Sequence, residues 1–130
     1  FPGETDADIE ATLTFLEFVP LSYLHVFTFS ERPGTRASKM EGKNSHEEKE
    51  RRSKMLIALS HKKHDEFLRL NIGKTADVLF EKTRVSNLIT GYTGNYIRVE
   101  YPWQTGLAGQ VRRVKLKDLS GENRMSIELI

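Results

Sequence analysis

The chain has 130 residues, a net charge of +2 and no cysteine, which excludes disulfides, thiol nucleophiles and any iron–sulfur cluster held by cysteines of this chain. No run of about 18 apolar residues is present to form a membrane-spanning helix, and the start lacks the basic-then-apolar layout of a signal peptide, so no membrane and a cytoplasmic setting are expected. The charge is uneven: residues 1–29 hold five acids and no Lys or Arg, so the remainder carries +7 and is where an anionic partner is expected.

Taken in order, residues 1–5 read as a loop entering a helix whose preceding strand is absent, so the chain reads as cut from a larger βα unit. Thr5 with Asp8 three residues on forms a capping-box pattern, Ile9, Leu13 and Leu16 share a face, and Pro20 ends the helix. Residues 23–29, Tyr-Leu-His-Val-Phe-Thr-Phe, read as a strand buried on both sides, with His25 in the core. Residues 30–44 are rich in Gly, Pro, Ser and charge, as a loop would be. In parallel α/β folds, loops after strands line ligand sites, so residues 2–5 and 30–35 are either part of such a site or plain connections.

Ser45 with Glu48 is a second capping-box pattern, opening a long charged helix with an apolar stripe of Leu56, Leu59, Phe67 and Leu70, stopped by Gly73. His61, His64 and Asp65 lie within one turn, but without a fourth ligand a solvated helix face is the better reading than a metal site.

From Lys74 the period becomes two. Ala76, Val78 and Phe80 alternate with Thr75, Asp77 and Leu79; residues 87–90, 91–101, 108–116 and 125–130 follow as further short strands. Turns are expected at Gly94-Asn95, Thr105-Gly106 and Ser120-Gly121. The fold expected is mainly β: a small five-stranded antiparallel barrel of OB-like type, preceded by a long helix and a truncated βα element. Three segments are expected: 1–43, a remnant of a larger domain; 44–72, a linking helix; and 73–130, the barrel.

Within residues 91–101, Ile97, Val99 and Tyr101 alternate with Tyr96, Arg98 and Glu100, so one face is core and the other offers an aromatic ring and a guanidinium. Such a pair suits stacking on bases and contact with phosphates, or is ordinary surface. Lys74, Arg84, Tyr92, Asn95, Tyr96, Arg98, Arg112 and Arg113 are the candidate RNA-binding residues. Arg112 and Arg113 cannot both face outward on a regular strand, which places one of them near a rim or bulge.

These residues resemble a known family. Phe-Pro-Gly-Glu-Thr, the Thr-Leu-x-Phe-Leu helix, Tyr-Leu-His-Val-Phe, Ser-x-Arg-Pro-Gly-Thr and a terminal small barrel are similar to the C-terminal third of the radical-SAM methylthiotransferases. The barrel resembles the family's RNA-binding TRAM domain through Gly73, Val78, Leu79, Glu81, Gly91, Thr93, Asn95, Val99 and Gly109. Within the family, Leu-His-Val-Phe and Arg32-Pro33-Gly34-Thr35 look most like the branch that methylthiolates threonylcarbamoyl-adenosine 37 in tRNA.

The resemblance implies a parent transferase that uses S-adenosylmethionine and two 4Fe–4S clusters, with its N-terminal catalytic domains missing here, and with tRNA as partner. It implies no catalytic residue, no metal ligand and no bound cofactor in this chain. Gly3, Glu4, Thr5, Ser30 and Arg32 are implied at the rim of the parent's cofactor site. Alternatives are a stand-alone OB-like RNA-binding module, a parent acting on another tRNA adenosine or a ribosomal protein, and a barrel that mainly docks on the catalytic domain. The apolar strand expected at residues 23–29, without neighbours, also implies self-association through residues 1–29.

Overall fold

A computed structural model describes residues 1–121 and 123–130, which divide into two compact units, Phe1–His64 and Asp65–Ile130. In the first unit, helix α1 (Asp6–Phe18) opens with the expected capping box: the Thr5 hydroxyl accepts from the Asp8 N–H, and the Asp8 carboxylate accepts from the Thr5 N–H at 2.8 Å. Ile9 is buried and Leu13 and Leu16 are half-buried, while Phe15 and Phe18 are exposed.

Helix α2 (His46–Arg69) begins in this unit and gives its last turns to the second. The Ser45 hydroxyl accepts from the Glu48 N–H, but Glu48 itself turns to Arg51 and Arg52, so the predicted box forms only by half. Two buried cations on α2 hold α1 at its two ends. The Arg52 guanidinium donates to the Glu4 carbonyl (2.8 Å), Asp6 (3.1 Å) and Glu48 (3.0 Å). The Lys63 ammonium donates to the carbonyls of Glu17 (3.1 Å) and Val19 (2.8 Å), where the carbonyls leaving α1 lack helical partners. Arg52 precedes Lys63 just as the start of α1 precedes its end, so the two helices run the same way.

The Arg51 guanidinium bonded to Glu48 holds that carboxyl from its ordinary 4.5 down to about 2, and the Thr5 backbone N–H lowers Asp8. A carboxylate whose folded pKa is depressed stabilises the fold above its unfolded value, and that contribution is lost as pH falls through the folded one. The first unit should therefore loosen reversibly between pH 4.5 and about 2. Amide NMR signals of residues 5–18 and 46–64 report this; unchanged dispersion down to pH 2 contradicts it.

Residues 23–29 form no strand. Among the described residues no other segment of this unit offers a ladder, so Leu24 instead bonds the Ser60 side chain through both its N–H (2.8 Å) and its carbonyl (2.9 Å). Leu24 and Val26 are half-buried and Tyr23 and Phe27 exposed, so the run is not buried on both sides. His25 is not a core residue; it is exposed and bonded to the Tyr23 hydroxyl.

The second unit starts within α2, whose stripe reaches the barrel through Phe67 and Leu68. Leu70, expected on that stripe, is exposed and Leu68 is buried in its place. Gly73 sits at φ +81°, which only glycine tolerates at little cost, and its N–H donates to Leu116 (2.8 Å) as the chain turns into the barrel.

The strands are β1 (Thr75–Val85), β2 (Leu88–Thr93), β3 (Arg98–Pro102), β4 (Val111–Leu119) and β5 (Met125–Leu129), closed in the order β1-β2-β3-β5-β4. All neighbours are antiparallel except β3 and β5, which run parallel and pair only through Val99 with Met125 and Glu100 with Ser126. Val78, Phe80, Ile89, Ile97, Val99, Val114, Leu116, Met125 and Ile127 fill the interior. Gly91 lies where β2 crosses β1: a Cβ there would stand 2.7 Å from the Leu79 carbonyl oxygen and from Val78 Cγ1.

Candidate nucleic-acid interface

The run 91–101 is not one strand. β2 ends at Thr93, and residues 94–97 turn the chain back into β3. The Tyr96 N–H donates to the Thr93 carbonyl (3.0 Å) and the Thr93 N–H to the Ile97 carbonyl (3.0 Å), so a β-turn over Gly94-Asn95 is followed by Tyr96 at φ +64°. This is the hairpin loop whose last position, in the left-handed region, is usually Gly. The buried Thr93 hydroxyl ties the loop by accepting from the Ile97 N–H and donating to Asn95 Oδ1. A bulky residue is thus held in a costly backbone state while 82% exposed.

The hairpin brings three candidates together. Tyr92 and Arg98 are direct cross-strand partners, the Tyr96 ring lies 6.4 Å from that of Tyr92, and the Arg98 guanidinium carbon stands 6.0 Å from the Tyr92 ring centre. Arg98 Nε is buried without a hydrogen-bond partner, and the guanidinium forms no ion pair among the described residues. Its remaining N–H groups are the ones available to an acceptor.

The other basic candidates sort by what already holds them. Arg84 donates to the Ser86 carbonyl (2.6 Å) and Asn87 (2.7 Å), fastening the β1–β2 hairpin. Arg113 pairs with Asp77 directly across β4 and β1 (3.2 Å). Arg112 and Lys74 are exposed, with no ion pair among the described residues. Arg112 has the inward parity of Val114 and Leu116 yet lies at the barrel's end, in a groove of about 300 Å³ with Gln104, Leu107, Arg113 and Leu129. The sequence reading that one of the two arginines sits at a rim fits this placement.

In the first unit, the Gly3 N–H donates to the Gly42 carbonyl (2.8 Å), and Phe1, Pro2, Phe29, Glu31, Lys43 and Asn44, none of them a rim candidate, line one small pocket. Thr5 is committed to its helix cap, the Glu4 carboxylate faces Arg52, and the Arg32 carbonyl accepts from Thr35. Ser30 and the Arg32 side chain remain exposed. Among the described residues no group of three His, Cys, Asp or Glu could hold a metal ion, and with no cysteine in the chain the residues present do not fit a 4Fe–4S cluster.

The closed five-stranded barrel with its capping helix is a fold of TRAM or OB-like type. By sequence the chain is similar to methylthiotransferases over part of their length. It is 39% identical over 129 residues to the threonylcarbamoyladenosine tRNA methylthiotransferase MtaB of Thermotoga maritima, covering 97% of this chain and 29% of that protein. It is 32% identical to MtaB of Bacillus subtilis, and 36% identical to the tRNA-2-methylthio-N(6)-dimethylallyladenosine synthase of Campylobacter jejuni subsp. doylei. Each of these two matches covers 89% of this chain and 27% of the relative. The chain therefore spans less than a third of the length of these relatives. No protein-family model matches it.

Proposed function

We propose that this chain is the substrate-holding part of a tRNA methylthiotransferase, its barrel gripping tRNA while cluster and S-adenosylmethionine chemistry is carried out by the rest of the parent. The observation that carries this is the convergence of Tyr92, Tyr96 and unpaired Arg98 on one exposed face. Aromatic faces stack on any base, and a free guanidinium binds phosphate. The parent's substrate is threonylcarbamoyl-adenosine 37, the reading favoured by the match that covers 97% of the chain. Dimethylallyladenosine synthases also match, at up to 44% over a shorter stretch, which keeps an isopentenylated adenosine as the second reading. Nucleoside mass spectrometry of tRNA from cells lacking the parent gene distinguishes them by which methylthio-adenosine disappears.

Gly3, Glu4, Thr5, Ser30 and Arg32 are assigned to the rim of the parent's cofactor site, supported by the pocket in which their chain neighbours Phe1, Pro2, Phe29 and Glu31 meet. The setting is cytoplasmic, alongside tRNA. Exposed Phe15, Phe18 and Phe27 offer the surface for self-association through residues 1–29; a concentration-independent monomer in sedimentation velocity removes that assignment.

Titration of the chain with tRNA at several salt concentrations tests the grip. Arg98→Ala should reduce the slope of log affinity against log salt by nearly one phosphate contact, roughly 0.7–0.9. Arg113→Ala, removing a cation already paired with Asp77, should change it less. Absence of saturable tRNA binding by the parent chain at about 50 mM salt, where such contacts are strong, defeats the proposal.

A further inference from the structure

The outer face of the barrel carries one register row that crosses four strands. Arg98 on β3 pairs with Tyr92 on β2, Tyr92 with Leu79 on β1, and Leu79 with Val111 on β4. All four side chains share the outward parity. Leu79 is 56% and Val111 62% exposed, two large apolar residues in mid-sheet without cover. At one end of the row stands the Tyr96 ring.

The rows on either side are different. One holds Asp77 opposite Arg113. The other holds Glu100 opposite Thr90, whose hydroxyl donates to Glu81. The carboxylates of the flanking rows are thus engaged, Asp77 by Arg113, Glu100 by Arg124 and Glu81 by Thr90, and the middle row has none. Along the row, the Arg98 guanidinium is the charge left for a polyanion.

We propose that single-stranded RNA crosses the barrel along this row, perpendicular to the strands, with Leu79 and Val111 as further contact residues for bases or ribose beyond the Tyr92–Tyr96 platform. Four strands spaced about 4.8 Å apart make a track roughly 14 Å long, enough for a short run of nucleotides. This rests on the tRNA-holding reading and adds to it a direction and an apolar middle. A protein surface is the poorer occupant, because covering the row with apolar groups would bury Arg98 without a partner.

The test uses the full 130-residue chain and a fluorescent single-stranded RNA with the sequence of an anticodon loop. Leu79→Ala and Val111→Thr, both at exposed positions, should keep the fold by thermal melt yet weaken binding on the order of fivefold each, the low end of what one base contact contributes. The salt slope should stay unchanged, since no cation is removed. If Tyr96→Ala and Arg98→Ala weaken binding while the Leu79 and Val111 variants bind like the parent, the path is wrong and the RNA-holding reading survives. If the parent chain binds neither this RNA nor tRNA, that reading fails first. Should the Leu79 variant keep RNA affinity but lose self-association in sedimentation, the row is a protein-docking face and the proposal is overturned.

Discussion

Phe80→Ala should cost the barrel about 3–5 kcal/mol, the range for removing a buried aromatic ring from a packed core. Phe80 is the largest of the fully buried side chains and lies at the centre of the interior that Val78, Ile89, Val99 and Leu116 complete. Residues 65–130 at ordinary stability per residue have only roughly 3–10 kcal/mol in total. The variant should thus be partly unfolded at room temperature. Urea denaturation followed by Trp103 fluorescence measures it, since Trp103 packs against the same core. Leu70→Ala, at a position 71% exposed, is the control and should stay within about 0.5 kcal/mol of the parent. A Phe80→Ala loss below 1 kcal/mol would mean that the core is not where these strands place it.

Tyr96→Gly should separate stability from binding. A non-glycine residue in the left-handed region costs about 1–2 kcal/mol, so glycine should leave the hairpin as stable as before or more so, despite the entropy it adds to the unfolded chain. Tyr96 is almost free of packing, so little apolar contact is lost. Affinity for tRNA should nevertheless fall by about 1–3 kcal/mol, the contribution of a stacked base. A residue kept only for structure would show the reverse: a less stable barrel with unaltered binding. Chemical denaturation and fluorescence titration of the same preparation decide between them.

Alternation made most of the barrel legible in advance. Val78 and Phe80 inward with Asp77 and Leu79 outward, and Ile97 and Val99 inward, stand as their spacing indicated. What periodicity could not show was where pairing starts. Residues 91–101 alternate as one strand although Gly94-Asn95 within them marks a turn. The reversal is made by Gly94-Asn95 and by a tyrosine in a backbone state that propensity assigns to glycine. The extended part of β1 beyond Phe80 was missed for a similar reason: Glu81, Lys82 and Arg84 are polar on both faces, and their pairing with β2 passes through a bulge. Residues 23–29 show the opposite failure. Their composition suits a buried strand, but a strand is a relation between segments, and among the described residues no partner exists. The site suffered from counting charges: Arg84 and Arg113 look as basic as Arg98 in sequence, and only their bonds to Ser86, Asn87 and Asp77 set them apart. No charge count would have pointed to Arg52 or Lys63, the buried cations that hold α1.

Because β5 is the strand that joins β3 to β4, the barrel cannot close until the chain has been synthesised as far as Leu129. A ribosome that has released β1 to β4 displays an open sheet whose two free margins, β3 and β4, carry Val99, Val114 and Leu116 without their Met125 and Ile127 neighbours. Unpaired margins of that kind join to those on other nascent chains. The interval between emergence of β4 and emergence of β5 is therefore when this protein most needs a chaperone, and slowed translation through residues 119–129 would lengthen it.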